Sequence, residues 1–141
     1  MTQTRGALGV VVITLVVVAL GACGSDDDGD SGEGASTSIE ATATDFEFDP
    51  TGWTVPAGEE FTIDFTNDGG VEHEWAVLKA GDDIESEDEF AEEKVLFEVE
   101  AIEPGTDTSE SFTVAEAGEY QVICAIETHF DAGMEGTLTV E

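Results

Sequence analysis

The side chains of this sequence that could do chemistry are few, and most of them lie near the C-terminus. Beyond residue 23 the chain holds two histidines, one cysteine and one methionine. His73 stands apart, whereas Cys124, His129 and Met134 follow one another at five-residue intervals. Each has an ordinary structural use, because a buried histidine can simply be hydrogen-bonded and cysteine and methionine fill cores. These four residues are, however, every histidine, cysteine and methionine beyond residue 23, and together they make up the donors of one metal site. A shared role as metal ligands is therefore favoured.

Two imidazoles, a thiolate and a thioether are the donors of a blue copper centre. In such a centre two histidines and a cysteine bind in a trigonal arrangement, and a methionine lies further away on the axis. Structural zinc sites instead use more thiolates or a fourth strong ligand. The sequence therefore predicts one copper ion, at a type 1 site held by His73, Cys124, His129 and Met134.

The chain after residue 38 is patterned for β-strands that could hold these ligands together. Apolar and polar residues alternate with a period of two, as in Phe61–Phe65 and Tyr120–Val122, and Gly, Pro, Asn and Asp clusters separate the segments. This alternation is typical of half-buried antiparallel strands. We expect an all-β fold, a Greek-key sandwich or barrel of seven to eight strands, in a domain covering residues 39–141.

The same alternation predicts which side chains face the core. Phe46 and Phe48 fall on one side of a predicted strand, with a charged residue between them. Val71 and His73 fall on one side of another, so the imidazole is expected to point inward. By the same count Cys124 is aimed at the edge of the core.

One acidic segment interrupts the strand pattern. Eight of the fourteen residues from 81 to 94 are Asp or Glu. Ser86 and Glu89 have the spacing of a helix-capping box, which predicts a short helix on a crossover between strands. We interpret the segment as a solvated surface excursion.

The first 22 residues have the pattern of a signal peptide. Arg5 precedes an apolar run over residues 7–20 that is too short to span a membrane as a helix. The run ends in Leu20-Gly21-Ala22-Cys23, which resembles the lipobox of bacterial lipoproteins, where the cysteine carries the lipid. Residues 23–38, rich in Gly, Ser and Asp, are expected to form a flexible acidic tether.

These features predict an extracytoplasmic domain anchored to the cell membrane through a lipid on Cys23. A disordered tail with an unmodified Cys23 is the alternative, and it gives the same compartment. With Cys23 lipidated, Cys124 has no partner for a disulfide within the chain. A lone thiol in an oxidising compartment is a liability unless something occupies it, which again favours a metal.

The charge of the chain excludes some partners. All 34 acidic residues lie after Cys23, against only Lys79 and Lys94, which gives that part a formal charge of about −32. Such a surface excludes nucleic acid as a partner and disfavours approach to anionic lipid without a covalent anchor. Solubility in high salt and steering toward a cationic partner both fit this acidity, and we favour the former.

The ligand pattern resembles that of the cupredoxins, the small blue copper proteins that include plastocyanin, azurin, halocyanin and rusticyanin. Their motif of Cys, His and Met before the last strand matches Cys124-x4-His129-x4-Met134. The stretch Val55–Glu59 is similar to the family's early turn, and Asn67 followed by His73 resembles the segment that bears the first ligand. The resemblance covers about residues 38–141.

The resemblance implies a function as well as a fold. A cupredoxin carries single electrons, so we expect a membrane-tethered monomer that exchanges electrons with a cytochrome or an oxidase. We expect no enzyme activity, because both histidines are already committed to one site. An extracytoplasmic copper-binding or delivery protein is the alternative.

In the cupredoxins the second histidine, here His129, lies near the surface and is the usual route of the electron. Its neighbours are mostly small or apolar, and they could form a docking patch or simply pack beneath the loop: Ala125, Ile126, Phe130, Ala132 and Gly133.

Overall fold

The protein is described here from a computed structural model that covers residues 34–141. The predicted signal peptide, Cys23 and most of the predicted tether lie outside the described residues. Backbone hydrogen bonding to the folded part begins slightly before residue 39, since the Ser36 N–H donates to the Thr54 carbonyl at 2.9 Å. Among the described residues, none of the helical segments has the length and hydropathy of a membrane-spanning helix.

Nine strands within residues 34–141 form two sheets packed face to face. The strands are β1 (Ser38–Thr44), β2 (Glu47–Asp49), β3 (Gly52–Val55), β4 (Glu60–Asn67), β5 (His73–Leu78), β6 (Val95–Ile102), β7 (Asp107–Thr113), β8 (Gly118–Ile123) and β9 (Glu135–Val140). One sheet has the order β2-β1-β4-β7 and the other the order β3-β9-β8-β5-β6. The predicted all-β sandwich is confirmed, with one strand more than expected.

The pairing of the strands differs in one respect from the prediction. Antiparallel pairs predominate, but β1 pairs with β4 in parallel and β3 pairs with β9 in parallel. Parallel neighbours need a crossover connection, and period-two alternation carries no information about strand direction. The expectation of antiparallel strands throughout was therefore wrong for these two pairs.

The core lies between the sheets and is built from the alternating residues. Phe61, Ile63 and Phe65 of β4 are fully buried, as the alternation predicts. The rings of Trp53 and Trp75 meet edge to face with their centroids 5.3 Å apart. Burial of aromatic side chains of this size supplies a large share of the hydrophobic stabilisation of so small a domain.

Two apolar residues predicted to point inward do not. Phe46 lies in the turn between β1 and β2 with a φ of 68° and is 41% exposed. Val71 lies in the loop before β5 and is 44% exposed. Both predictions were wrong because the alternation was extended into turns, where successive side chains no longer point to opposite faces.

The acidic segment is not the solvated excursion that its composition suggests. Its Ile84 is buried, and it packs in a second apolar cluster with Ile123 and Phe130, while Phe90 packs against the same cluster. Most of the carboxylates point to solvent, so the segment is amphipathic although its sequence is dominated by charge. This cluster lies on the outer face of the five-stranded sheet, over β5 and β8.

The helical part of this segment is shorter than predicted. It consists of two 3-10 turns, Glu87–Glu89 and Glu92–Lys94. Ser86 precedes the first turn but makes no capping bond with its side chain, and the Glu89 carboxylate accepts from the Glu85 N–H at 2.9 Å instead. The predicted capping box was therefore wrong.

Candidate metal centre

Three of the four predicted ligands converge at one end of the sandwich. β5 lies antiparallel beside β8, so the start of β5 lies next to the end of β8. His73 is the first residue of β5, Cys124 directly follows β8, and His129 lies in the loop from β8 to β9. Their potential ligand atoms all lie within 4.8 Å of one another, and all three side chains are buried.

The three side chains are arranged around a common point. The Nδ1 atom of His129 lies 3.3 Å from the Sγ atom of Cys124. The rings of His73 and His129 have their centroids 4.9 Å apart. Because ring nitrogens and sulfur are brought this close, one small cation can be shared by all three.

The buried ring of His73 fits the presence of a metal. Both of its nitrogens are inaccessible to solvent and have no hydrogen-bond partner among residues 34–141. Buried polar atoms are nearly always paired, so an unpaired imidazole needs an explanation. A soft thiolate beside two imidazoles favours copper, which would account for one of these nitrogens and for the buried thiol.

Met134, the predicted axial ligand, lies at the end of the same loop. Its side chain is fully buried and belongs to the same core cluster as Cys124. Its carbonyl accepts from the Cys124 N–H at 3.2 Å, and its own N–H donates to the His129 carbonyl at 3.1 Å. These bonds hold the two ends of the loop of residues 124–134 together. The axial role of the Met134 thioether stays a prediction.

The loop before β5 is shaped by Asn67, which positions His73. The buried Asn67 amide group donates to the Val71 and Ile102 carbonyls, both at 2.8 Å, and its oxygen accepts from the Gly69 N–H at 2.9 Å. A Cβ atom at residue 69 would lie 2.7 Å from His73 Nε2, so only glycine leaves room for the ring.

Sequence reasoning missed Asp45 as a member of this site. Its Oδ1 atom lies 3.7 Å from His73 Nε2 and accepts from the Gly70 N–H at 2.7 Å. A metal-bound histidine usually has a carboxylate or carbonyl beside its second nitrogen, which fixes the ring and makes it a stronger donor. Asp45 occupies that place, and Nδ1 of His73 is then left for the metal. Nothing in the sequence distinguishes Asp45 from the other acidic residues, of which the chain has 34 in all.

Glu74 was missed for the same reason. Its N–H donates to the Cys124 sulfur at 3.5 Å, and its carboxylate accepts from the Ala125 N–H at 2.8 Å. Burial raises the pKa of this carboxyl, although the bond from Ala125 opposes the shift. Glu74 therefore ties β5 to the ligand loop at two points.

Burial sets the protonation of the ligands in the metal-free protein. It raises the pKa of the Cys124 thiol to about 11. It lowers the pKa of His73, where the neighbouring His129 acts in the same direction and Asp45 opposes it. Burial also lowers the pKa of His129. At neutral pH the site therefore presents two neutral imidazoles and a thiol, which must lose its proton when a metal binds.

Only part of the predicted apolar patch is at the surface. Phe130 is buried and Ile126 is half-buried, so they pack beneath the loop, whereas Ala132 and Gly133 are exposed. The exposed aromatic ring beside the site is instead that of Phe46, which meets the His129 ring edge to face with centroids 5.1 Å apart. The imidazole of His129 is 6% exposed and thus lies just below the surface.

Comparison with known proteins agrees with this geometry. Residues 35–141 match the family of copper-binding proteins described as the plastocyanin/azurin family. Auracyanin-B of Chloroflexus aurantiacus is 27% identical over 121 residues, which cover 74% of this chain and 52% of that protein. The chain thus spans about half the length of this curated relative.

Solved structures of related proteins share the fold. Dithionite-reduced auracyanin from Roseiflexus castenholzii superposes with a TM-score of 0.68 at 25% identity, covering 76% of this chain and 98% of that one. Auracyanin A of Chloroflexus aurantiacus, described as a "blue" copper protein, gives a TM-score of 0.60 at 25% identity, covering 74% of this chain and 98% of that one. The chain belongs to the plastocyanin/azurin family of copper-binding proteins, and its cofactor is copper.

Proposed function

We propose that this protein carries single electrons between redox partners, as a type 1 copper protein tethered to the outer side of the cell membrane. The observation that carries the proposal is the convergence of His73, Cys124 and His129, all buried, with ligand atoms within 4.8 Å. The similarity to a protein described as a "blue" copper protein supports it.

The residues of the chain are suited to hold an ion that changes its charge by one. Bound copper would supply the one-electron chemistry, since thiolate suits Cu(I) and imidazole suits copper in both states. The Glu74 N–H donates to the Cys124 sulfur at 3.5 Å and holds it in place. The apolar core on one side of the sulfur excludes water from it. Ligands held in this way move little when the charge changes, which keeps the barrier to electron transfer low.

We infer that electrons pass through the surface around His129. Its ring is the ligand side chain with the greatest exposure, and the exposed ring of Phe46 lies against it. A small apolar surface around these two rings suits the short-lived contact that electron-transfer complexes require. The strongly acidic surface of the rest of the chain favours a partner with a cationic rim, such as a basic cytochrome.

The predicted lipid anchor on Cys23 is part of this proposal. It is tested in cells that express the full chain, by metabolic labelling with a fatty acid and by partition into a detergent phase. We expect label and detergent partition for the natural chain and neither for Cys23→Ala. A labelled Cys23→Ala variant would contradict the anchor without affecting the copper site.

The central experiment loads the protein, expressed without residues 1–23, with Cu(II). We expect one ion per chain, a blue or green colour from thiolate-to-copper charge transfer, bleaching on reduction and recovery on reoxidation. The reduced protein is then mixed with a basic cytochrome in a stopped-flow apparatus, and we expect it to reduce that cytochrome within milliseconds to seconds. A colourless complex, several ions per chain, or rapid loss of Cu(I) to a chelator would favour the alternative of copper delivery.

A further inference from the structure

We propose that the acidic segment of residues 81–94 holds the ligand loop of the copper site in place, and that Glu87 is a positioning residue for the ligand His129. The inference rests on the proposed copper function. It assigns a role to a segment whose composition suggests only a solvated surface.

The contact that carries the proposal joins Glu87 to the ligand loop. Both carboxylate oxygens of Glu87 accept from the Thr128 N–H, at 2.9 and 2.7 Å. In return the Glu87 N–H donates to Oδ1 of Asp131 at 3.0 Å. The segment and the loop thus hold each other on either side of His129.

Thr128 needs such a restraint. It has a φ of 76°, in the left-handed region that a β-branched residue rarely adopts. A residue in this region raises the energy of the fold and persists only when its surroundings fix it. Because Thr128 precedes His129 directly, its backbone conformation determines where the imidazole is placed.

The other end of the segment is anchored to the sheet. The Gln121 side chain accepts from the Ile84 N–H at 2.8 Å and donates to the Ile84 carbonyl at 3.0 Å. The Ile84 side chain is buried in the cluster that also contains Ile123 and Phe130. Phe130 follows His129, so the segment supports the ligand loop by packing as well as by hydrogen bonds. The Glu87 carboxylate is therefore presented by a fixed element.

The first test measures amide hydrogen exchange in the metal-free protein. Glu87→Ala should accelerate exchange of the Thr128 amide about tenfold or more, because a bond to a charged acceptor is lost. Glu87→Gln keeps an acceptor oxygen and should restore most of the protection. Asp88→Ala, a neighbouring acidic residue whose exposed side chain makes no hydrogen bond within the described part of the chain, is the control and should leave the exchange unchanged.

The second test asks whether the copper ligand moves. In copper-loaded protein well below its unfolding temperature, Glu87→Ala should shift the thiolate-to-copper absorption band and the copper hyperfine splitting, and Glu87→Gln should return both toward the natural values. A Gln variant that behaves like the Ala variant would overturn the proposal, because charge and not the hydrogen bond would then act. Unchanged amide exchange in Glu87→Ala would also overturn it, while a blue, redox-active natural protein would leave the electron-transfer function standing.

Discussion

The N–H of Glu74 donates to the sulfur of Cys124 at 3.5 Å, although the two residues are 50 positions apart in the sequence. The sulfur is also 3.3 Å from Nδ1 of His129 and is fully buried. The sulfur at this position is oriented before any metal binds. The geometry of the site is therefore a property of the fold, and each contact around it can be tested separately.

Cys124→Ser should abolish the intense visible absorption of the copper-loaded protein. The charge-transfer band requires a thiolate donor, and a serine hydroxyl at the same place supplies none. The measurement is the absorption spectrum after loading with one equivalent of Cu(II). Persistence of the band in the serine variant would show that the sulfur of Cys124 is not a ligand.

Met134→Leu should keep the colour and raise the reduction potential. Leucine has a similar volume and suits the buried position, but it has no donor atom for Cu(II). A tenfold loss of Cu(II) affinity relative to Cu(I) corresponds to about 59 mV for a one-electron couple. Cyclic voltammetry of both proteins gives the shift, and an unchanged or lowered potential would argue against an axial thioether.

Asp45→Asn should weaken copper binding about 10- to 100-fold, in the range typical for loss of a partner of a metal-bound histidine. The amide oxygen can still accept from the Gly70 N–H, so the change removes the charge beside His73 Nε2 and little else. Affinity is measured by competition with a chelator of known strength. Asp68→Asn, at an exposed carboxylate in the nearby loop, is the matched control and should bind copper normally.

The site was more predictable than the residues around it. His73, Cys124 and His129 could be singled out because their residue types are scarce in the chain, and the structure brings these three together, while the axial role of Met134 stays a prediction. Asp45, Glu74 and Glu87 are three of 34 acidic residues in the chain, and only folding distinguishes them from the other carboxylates.

The fold could be predicted where the strands are regular, but not in the turns or in the acidic segment. Alternation identified the buried face of β4, because a regular strand obeys a period of two. It failed at Phe46, where the backbone turns, and in residues 81–94, where eight acidic residues concealed the buried Ile84. The parallel pairing of β1 with β4 joins segments more than 20 residues apart, and no local pattern records such a pairing.

The metal-free protein should lose stability as the pH rises from about 9 to about 11. Burial raises the pKa of the Cys124 thiol from 9.0 to about 11, so between these values the unfolded chain releases a proton that the folded chain keeps. The stabilisation is complete below pH 9 and is lost as the pH passes 11, and a shift of this size corresponds to about 3 kcal/mol. Denaturant unfolding at several pH values checks this slope.

Cys124→Ala is the control for that experiment. Other groups titrate in the same range, so the difference between the natural protein and the alanine variant isolates the thiol. We expect the natural protein to lose about 2 to 3 kcal/mol relative to the variant across this interval. Parallel curves for the two proteins would contradict the raised pKa of Cys124.

Phe46→Ser should slow electron transfer to a basic cytochrome while leaving the reduction potential nearly unchanged. The exposed ring lies against His129 and supplies apolar contact area, but it is not a ligand. Leu96→Ser is a matched control, because Leu96 is equally exposed, at 41%. It lies near the start of β6, and it is the other end of this strand that lies beside His73. Equal rates for both variants would show that electrons leave elsewhere.

Strand β1 runs from Ser38 to Thr44, and the turn after it carries Asp45 and Phe46 to the copper site. Seven extended residues cover about 20 Å, so Gly34 to Thr37 enter the sandwich at the pole opposite the metal. A lipid attached further upstream would join the domain at that pole, through the predicted flexible tether. The redox-active end would then lie at the far side of the domain from the point of attachment, where a diffusing partner can reach it.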